Sequence, residues 1–257
     1  MRLRHWLGVA VLGCAWVVTA RQAAAQNING VSIQPRVFND YPDSTLTITN
    51  NYPTNVTIHD VFNTVPAGKF ANRHDALFSI DGGTTPFTFN NNQGFDVGAD
   101  VTLTDGSNSP RKEAGIRVNS SVGGDGLFIV NSDAGEIVAF GGPLPFFKFG
   151  DNSMGNGYTP GQTINMRMIY DAVGHTITYD VTENGVTKTS GPLTFSNLEN
   201  GVINGSTVGF YGQFSPNAPG DFGTASFSNI VATLVPEPTT LAGLCLAVGA
   251  MALRRRR

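Results

Sequence analysis

Residues 163–185 read T-I-N-M-R-M-I-Y-D-A-V-G-H-T-I-T-Y-D-V-T-E-N-G. Ile164, Met166, Met168 and Tyr170 alternate with Asn165 and Arg167, so an extended segment here has one apolar and one polar face. Ile177, Tyr179 and Val181 repeat the period and lead to Asn184-Gly185, a pair suited to a tight hairpin turn that needs positive φ. The economical reading is strand, turn, strand.

The same pattern extends in both directions. Downstream, Ser206 to Gln213 and Ala225 to Leu234 read as two closing strands, separated by a glycine- and proline-rich link from Pro216 to Gly223. Upstream, Phe95, Val97, Ala99, Val101 and Leu103 alternate with Asp96, Gly98, Asp100 and Thr102, and Asp105-Gly106 ends the run. Between these lie Gly115 to Asn119, Gly126 to Asn131, Glu136 to Phe140 and the block Phe146-Phe147-Lys148-Phe149, each bounded by Gly, Asp, Asn or Ser. Nearer the start, Asn39-Asp40-Tyr41-Pro42 before Ser44 to Thr49 is echoed by Asn51-Tyr52-Pro53 before Asn55 to His59, which predicts two neighbouring strands at a sheet edge. Ala76 to Ile80 is a further strand, followed by an Asp81-Gly82-Gly83 turn. No stretch of residues 26–234 has helical periodicity. Many short antiparallel strands imply a sandwich or barrel, and the expected class is all-β, a jelly-roll-like sandwich flanked by an N-terminal signal helix and a short C-terminal transmembrane helix.

The two ends differ in kind from this body. Arg2 and Arg4, the apolar run Trp6 to Ala20 and the small residues Ala23-Ala24-Ala25 have the anatomy of a secretory signal peptide, with cleavage expected between Ala25 and Gln26. A lipoprotein signal ending at Cys14 is the alternative. At the other end, Val235-Pro236-Glu237-Pro238 precedes the uncharged run Leu241 to Leu253 and then Arg254, Arg255, Arg256 and Arg257. The prolines forbid a continuous helix, and thirteen helical residues reach only about 20 Å against a hydrocarbon core of about 30 Å. Thr239 and Thr240 lengthen the helix to 239–253, and the arginine tail, 254–257, holds its end in the cytoplasm.

The V-P-E-P-T-T-L motif, the helix L-A-G-L-C-L-A-V-G-A-M-A-L and the terminal R-R-R-R resemble the PEP-CTERM sorting signal of Gram-negative bacteria. The resemblance covers residues 235–257. It implies recognition by the membrane enzyme exosortase, processing near Val235 to Pro238, transient membrane anchoring, and delivery to the cell surface or exopolysaccharide matrix. An ordinary unprocessed anchor is the other reading. The domain between the ends is residues 26–234.

Composition narrows what that domain does. Of sixteen Lys and Arg, three precede residue 26 and four end the chain, so residues 26–235 keep nine against eighteen Asp and Glu. This acidity argues against nucleic-acid and anionic-membrane binding. Both cysteines, Cys14 and Cys245, lie in the end segments, so the domain has neither a disulfide nor a thiol nucleophile. Both tryptophans, Trp6 and Trp16, lie in the signal, which removes the usual sugar-stacking residue.

From Phe95 to Leu234 the chain resembles the concanavalin A-like lectin and glucanase superfamily, including laminin-G-like members. Phe95 to Leu103, T-I-N-M-R-M-I-Y-D, T-Y-D-V-T-E-N-G, V-G-F-Y-G-Q (208–213) and A-S-F-S-N-I (225–230) carry the resemblance. It implies a β-sandwich and a glycan ligand. The superfamily's glucanases carry acids as E-x-D-x-E or E-x-D-x-x-E on one strand; here Glu113, Glu136, Glu183 and Glu199 have no acid two positions on. No G-x-S-x-G elbow is present. His59-Asp60 and His74-Asp75 lack a tight metal-ligand cluster, and these histidines are expected at the surface or in turns. Calcium is compatible with Asp105, Asn108, Asp125 or Asp151, each of which a turn explains equally well. Pro143 to Phe149 and the cluster Phe210-Tyr211-Gln213-Phe214 have the composition of a sugar platform or of core. The expectation is a non-enzymatic surface or matrix protein that contacts polysaccharide and needs no cofactor. The alternatives are a polysaccharide-degrading enzyme whose acids come from different strands, or a protein-binding adhesion module.

Overall fold

A computed structural model describes residues 27–90, 93–120, 123–142, 144–194, 203 and 205–235. The signal peptide, its Ala25–Gln26 junction, Pro236, Glu237, Pro238, the apolar C-terminal segment and Arg254 to Arg257 lie outside these residues. Among the described residues no helix is long and apolar enough to cross a membrane.

Two antiparallel sheets pack face to face. Numbering strands in chain order, the first sheet runs β1 (Gly30–Asn39), β4 (Asn72–Ser79), β15 (Ser206–Phe214), β7 (Lys112–Ser120), β8 (Gly124–Asn131), β9 (Ile137–Phe140), β10 (Phe147–Gly150), with β5 (Thr88–Phe89) beside β15. The second runs β13 (Val186–Thr189), β12 (Thr176–Glu183), β11 (Thr163–Asp171), β6 (Gly94–Asp105), β16 (Phe222–Val235), β3 (Asn55–Val61), β2 (Thr45–Asn51), with β14 (Leu193–Thr194) beside β12. The all-β sandwich expected from the sequence is therefore the fold.

The second sheet matches its sequence reading closely. Met166 pairs with Ala99 on one side and Val181 on the other, so the apolar positions of β6, β11 and β12 lie in register on one face. Asn184 and Gly185 have φ of 52° and 76° and join β12 to β13 in a two-residue turn. Position 185 favours glycine because a side chain is strained at that angle. The two echoed segments form β2 and β3, paired at the sheet edge. Strand β16 is longer than expected, beginning at Phe222, and Val235 ends it opposite Gly94.

The core lies between the sheets. Phe210 of β15 stacks on Phe227 of β16 with ring centroids 4.5 Å apart, and Phe128 of β8 meets Tyr179 of β12 at 5.1 Å. Burial then separates the sheets. Strand β3 alternates half-buried and buried positions, whereas every residue of β4, and every residue of β7 except Asn119, is buried. In the first sheet the face turned away from the core is buried as well, and it is charged.

Candidate functional site

Register defines that outer face. Along β4, His74, Ala76 and Phe78 point toward the core region, so Arg73, Asp75 and Leu77 point outward. Asp75 pairs with Tyr211, which pairs with Gly115; Arg73 pairs with Gln213, which pairs with Glu113. Gly115 places no side chain on this face between Glu113 and Arg117, and none fits there because a Cβ would lie 2.1 Å from the Phe128 carbonyl oxygen.

Two guanidiniums and two carboxylates alternate in a ring on this face. Asp75, 1% exposed, accepts from Arg73 Nε at 3.2 Å and from Arg117 Nη1. Asp125 accepts from Arg73 Nη1 at 2.8 Å and from Arg117 Nε at 2.9 Å. The Arg73 guanidinium lies over the Tyr211 ring, 5.4 Å from its centroid. The Tyr211 hydroxyl donates to Glu113 Oε2 at 2.8 Å. From Glu113 the charges continue outward: Arg111 contacts Glu113 at 2.6 Å and Glu136 at 3.0 Å, and Lys148 bridges Glu136 at 2.9 Å and Asp151 at 2.6 Å. Two donors in this network are unused: Arg111 Nε, whose contact with Glu113 is an ion pair without hydrogen-bond geometry, and one on Arg73. Arg73 Nη2 is buried and makes no hydrogen bond.

Burial and charge set the proton affinities. Burial pushes the Glu113 carboxyl above its ordinary range, although Arg111 and the Tyr211 hydroxyl pull the other way. Burial, reinforced by Glu113, raises Tyr211 well above 10. At Asp125 burial is outweighed by the hydrogen bonds and charges of Arg73 and Arg117, and the carboxyl is held low.

The residues named as calcium candidates are separated. Asp125 belongs to the arginine ring, while Asp151 binds Lys148 and caps the short 3-10 turn Asn152–Met154. The carbonyl of Asn108 accepts from Ser132. At the Asp105 loop the cation is the protein's own. Lys112 Nζ is fully buried and contacts the Ser107 carbonyl at 2.7 Å, Ser107 Oγ at 3.2 Å and Asp221 Oδ2 at 3.0 Å. Among the described residues no group of three or more His, Cys, Asp or Glu is arranged to hold a metal ion.

The histidine expectation is corrected at one position. His74 is fully buried, accepts from the Arg36 backbone N–H through Nδ1 at 3.1 Å and bonds Asp60 through Nε2 at 3.1 Å. It joins β4 of one sheet to β3 of the other. His59 bonds Thr224 at 2.7 Å across the outer side of the second sheet. Asp96, one of the alternating polar positions of β6, is paired with Arg167. Of the aromatic platforms, Phe210, Phe214 and Phe149 are core, Tyr211 belongs to the charged face and Phe146 is 69% exposed.

No family profile matches the chain, and no curated protein matches it. Solved structures do. An alginate lyase from Corynebacterium sp. superposes with a TM-score of 0.51 at 13% identity, covering 81% of this chain and 95% of that one. The alginate lyase AlgAT5 of polysaccharide lyase family 7 gives 0.45 at 14% identity over 73% and 82% of the two chains. The lectin UEA-II, solved with galactose, gives 0.48 at 9% identity over 82% and 98%. The two-sheet β-sandwich fold is thus shared with the Corynebacterium alginate lyase. The expectation of a non-enzymatic domain is corrected by the same comparison. The Corynebacterium alginate lyase has this sandwich fold, and the missing E-x-D-x-E spacing tests only acids that share one strand, whereas Asp75, Tyr211 and Glu113 come from three.

Proposed function

We propose that the domain binds and cleaves an anionic polysaccharide on the outer face of the first sheet. The observation that carries this reading is the unused Arg73 Nη2, a buried cationic donor beside a second guanidinium, Arg117, and a tyrosine hydrogen-bonded to a glutamate. An unsatisfied buried donor is costly, and a uronate carboxylate is the sugar substituent that would complete it with a charge-assisted hydrogen bond. Such a group set suits elimination. A proton leaves the carbon beside the uronate carboxylate, its electron pair forms a C=C bond, the glycosidic C–O bond breaks, and the departing oxygen takes up a proton. Arg73 neutralises the carboxylate, which acidifies that carbon. Glu113, made more basic by burial, and the Tyr211 hydroxyl handle the two protons.

The test is incubation of the full-length protein with a panel of polyuronates and neutral glucans, reading chain length, reducing ends and the ultraviolet absorbance of an unsaturated end. Chain shortening with unsaturation, reduced about 10²-fold or more in Arg73→Ala, supports the reading. Reducing ends without unsaturation would replace elimination by hydrolysis through Glu113 and Asp75. No shortening of any polyuronate would refute it.

The delivery part of the proposal rests on the sequence of the two ends: export by the signal peptide, then exosortase recognition of Val235 to Pro238 and placement at the cell surface or in the matrix. Deleting residues 235–257 tests it, and unchanged attachment and processing would count against it.

A further inference from the structure

The register row that contains Arg73 does not stop at β4. Phe38 of the edge strand β1 pairs with Arg73, so a single row of outward positions crosses five strands as Phe38, Arg73, Gln213, Glu113 and Asn131. At a strand spacing of about 4.8 Å this row is roughly 19 Å long, enough for several sugar units. Its outer end is aromatic and open. Phe38 is 41% and Phe70 is 61% exposed, and their rings meet edge to face at 6.2 Å.

The backbone on either side of these rings is held by polar groups. Between Gln34 and Phe38 the pairing of β1 shifts, and Arg36 at the bulge has φ of 57°. Its backbone N–H is fixed by His74, and its guanidinium spans Asn39 Oδ1 at 2.8 Å, Ser44 Oγ at 2.9 Å and the Ser44 carbonyl at 2.6 Å. The Phe70 N–H donates to Asp40 at 2.7 Å. An exposed aromatic pair beside a sheet edge invites aggregation unless it has a use, and here bulge, guanidinium and carboxylate fix the backbone that carries Phe38 on the edge strand and Phe70 in the loop before β4.

We infer that Phe38 and Phe70 form an outer subsite that stacks a sugar ring of the same anionic polysaccharide, leading the chain across the strands toward Arg73. This inference rests on the polysaccharide reading above and adds the direction and the aromatic anchor. A protein partner fits the patch poorly. Two phenylalanines bury at most about 300–500 Å², below the roughly 800 Å² per side of a stable protein interface. A sugar's apolar face needs only one or two rings, and Arg73, with its unused Nη2, is the next position of the row.

Affinity electrophoresis of the full-length protein through gels containing a polyuronate or a neutral glucan tests this. Phe70→Ala and Phe38→Ala should each weaken retardation by the polyuronate about two- to tenfold, with Phe70→Trp restoring it and thermal unfolding unchanged. Retardation equal to wild type in both alanine variants overturns the subsite while leaving the Arg73 reading intact. Retardation that needs the phenylalanines but not Arg73, and occurs equally on neutral glucan, keeps the aromatic subsite and refutes the anionic substrate. A wild-type protein retarded by neither polymer removes both.

Discussion

Replacing Lys112 with Met tests the most deeply buried cation of the sandwich. The ammonium has no exposed surface and is held by the Ser107 carbonyl, Ser107 Oγ and Asp221 Oδ2. Methionine keeps the length of the side chain, so the loss is electrostatic and not a cavity. Removing one partner of a buried ion pair costs about 3–5 kcal/mol, because the remaining charge stays desolvated. For a domain of this size that lowers Tm by about 6–20 °C. The sign with pH follows from Asp221, whose carboxyl burial would raise but which the Asn217 N–H, Ser107 and Lys112 hold below its ordinary value. A lowered carboxylate stabilises the fold above its unfolded pKa, and that stabilisation is lost as pH falls through the folded value. Wild type and variant should therefore differ most near neutrality and converge in acid. Urea unfolding at several pH values measures both quantities. A cost under about 1 kcal/mol, the size of a solvent-exposed pair, or a cost independent of pH would refute the argument.

Three further outcomes are expected. Tyr211→Phe should abolish turnover of a polyuronate while leaving its binding within a few-fold, since only the hydroxyl on Glu113 is lost; kinetics and electrophoresis together check this. Phe227→Ala, which removes the ring stacked on Phe210 between the sheets, should cost about 3–5 kcal/mol in urea unfolding. Asp60→Asn should flatten the acid limb of stability. Burial raises the Asp60 carboxyl, but hydrogen bonds from His74, Asn72 and Ser44 bring it below its ordinary value, so wild type loses that contribution as pH falls below about 4; unfolding midpoints at neutral and acid pH measure it.

The sequence by itself determined the all-β class, the strand–turn–strand of 163–185 with its Asn184-Gly185 turn, and the edge pair β2–β3, because alternation and turn chemistry are local: each depends on neighbours a few residues apart. The candidate site was not legible in that way. Arg117 and Asp75 are 42 residues apart, Arg73 and Asp125 are 52 apart, and Tyr211 and Glu113 are 98 apart, so no spacing rule on one strand could join them. A weak trace was present in the charged residues Arg73, Asp75, Glu113 and Arg117, which fall on one face of their strands at even spacing. Only the order of strands in the sheet turned those positions into neighbours. The same holds for His74, which reads as a surface or turn residue in sequence and is buried because its hydrogen-bond partners lie on β1 and on the facing sheet, and for Lys112, whose counter-charge lies on a distant loop. A charge can be buried where its partners are, and partners are a property of tertiary structure.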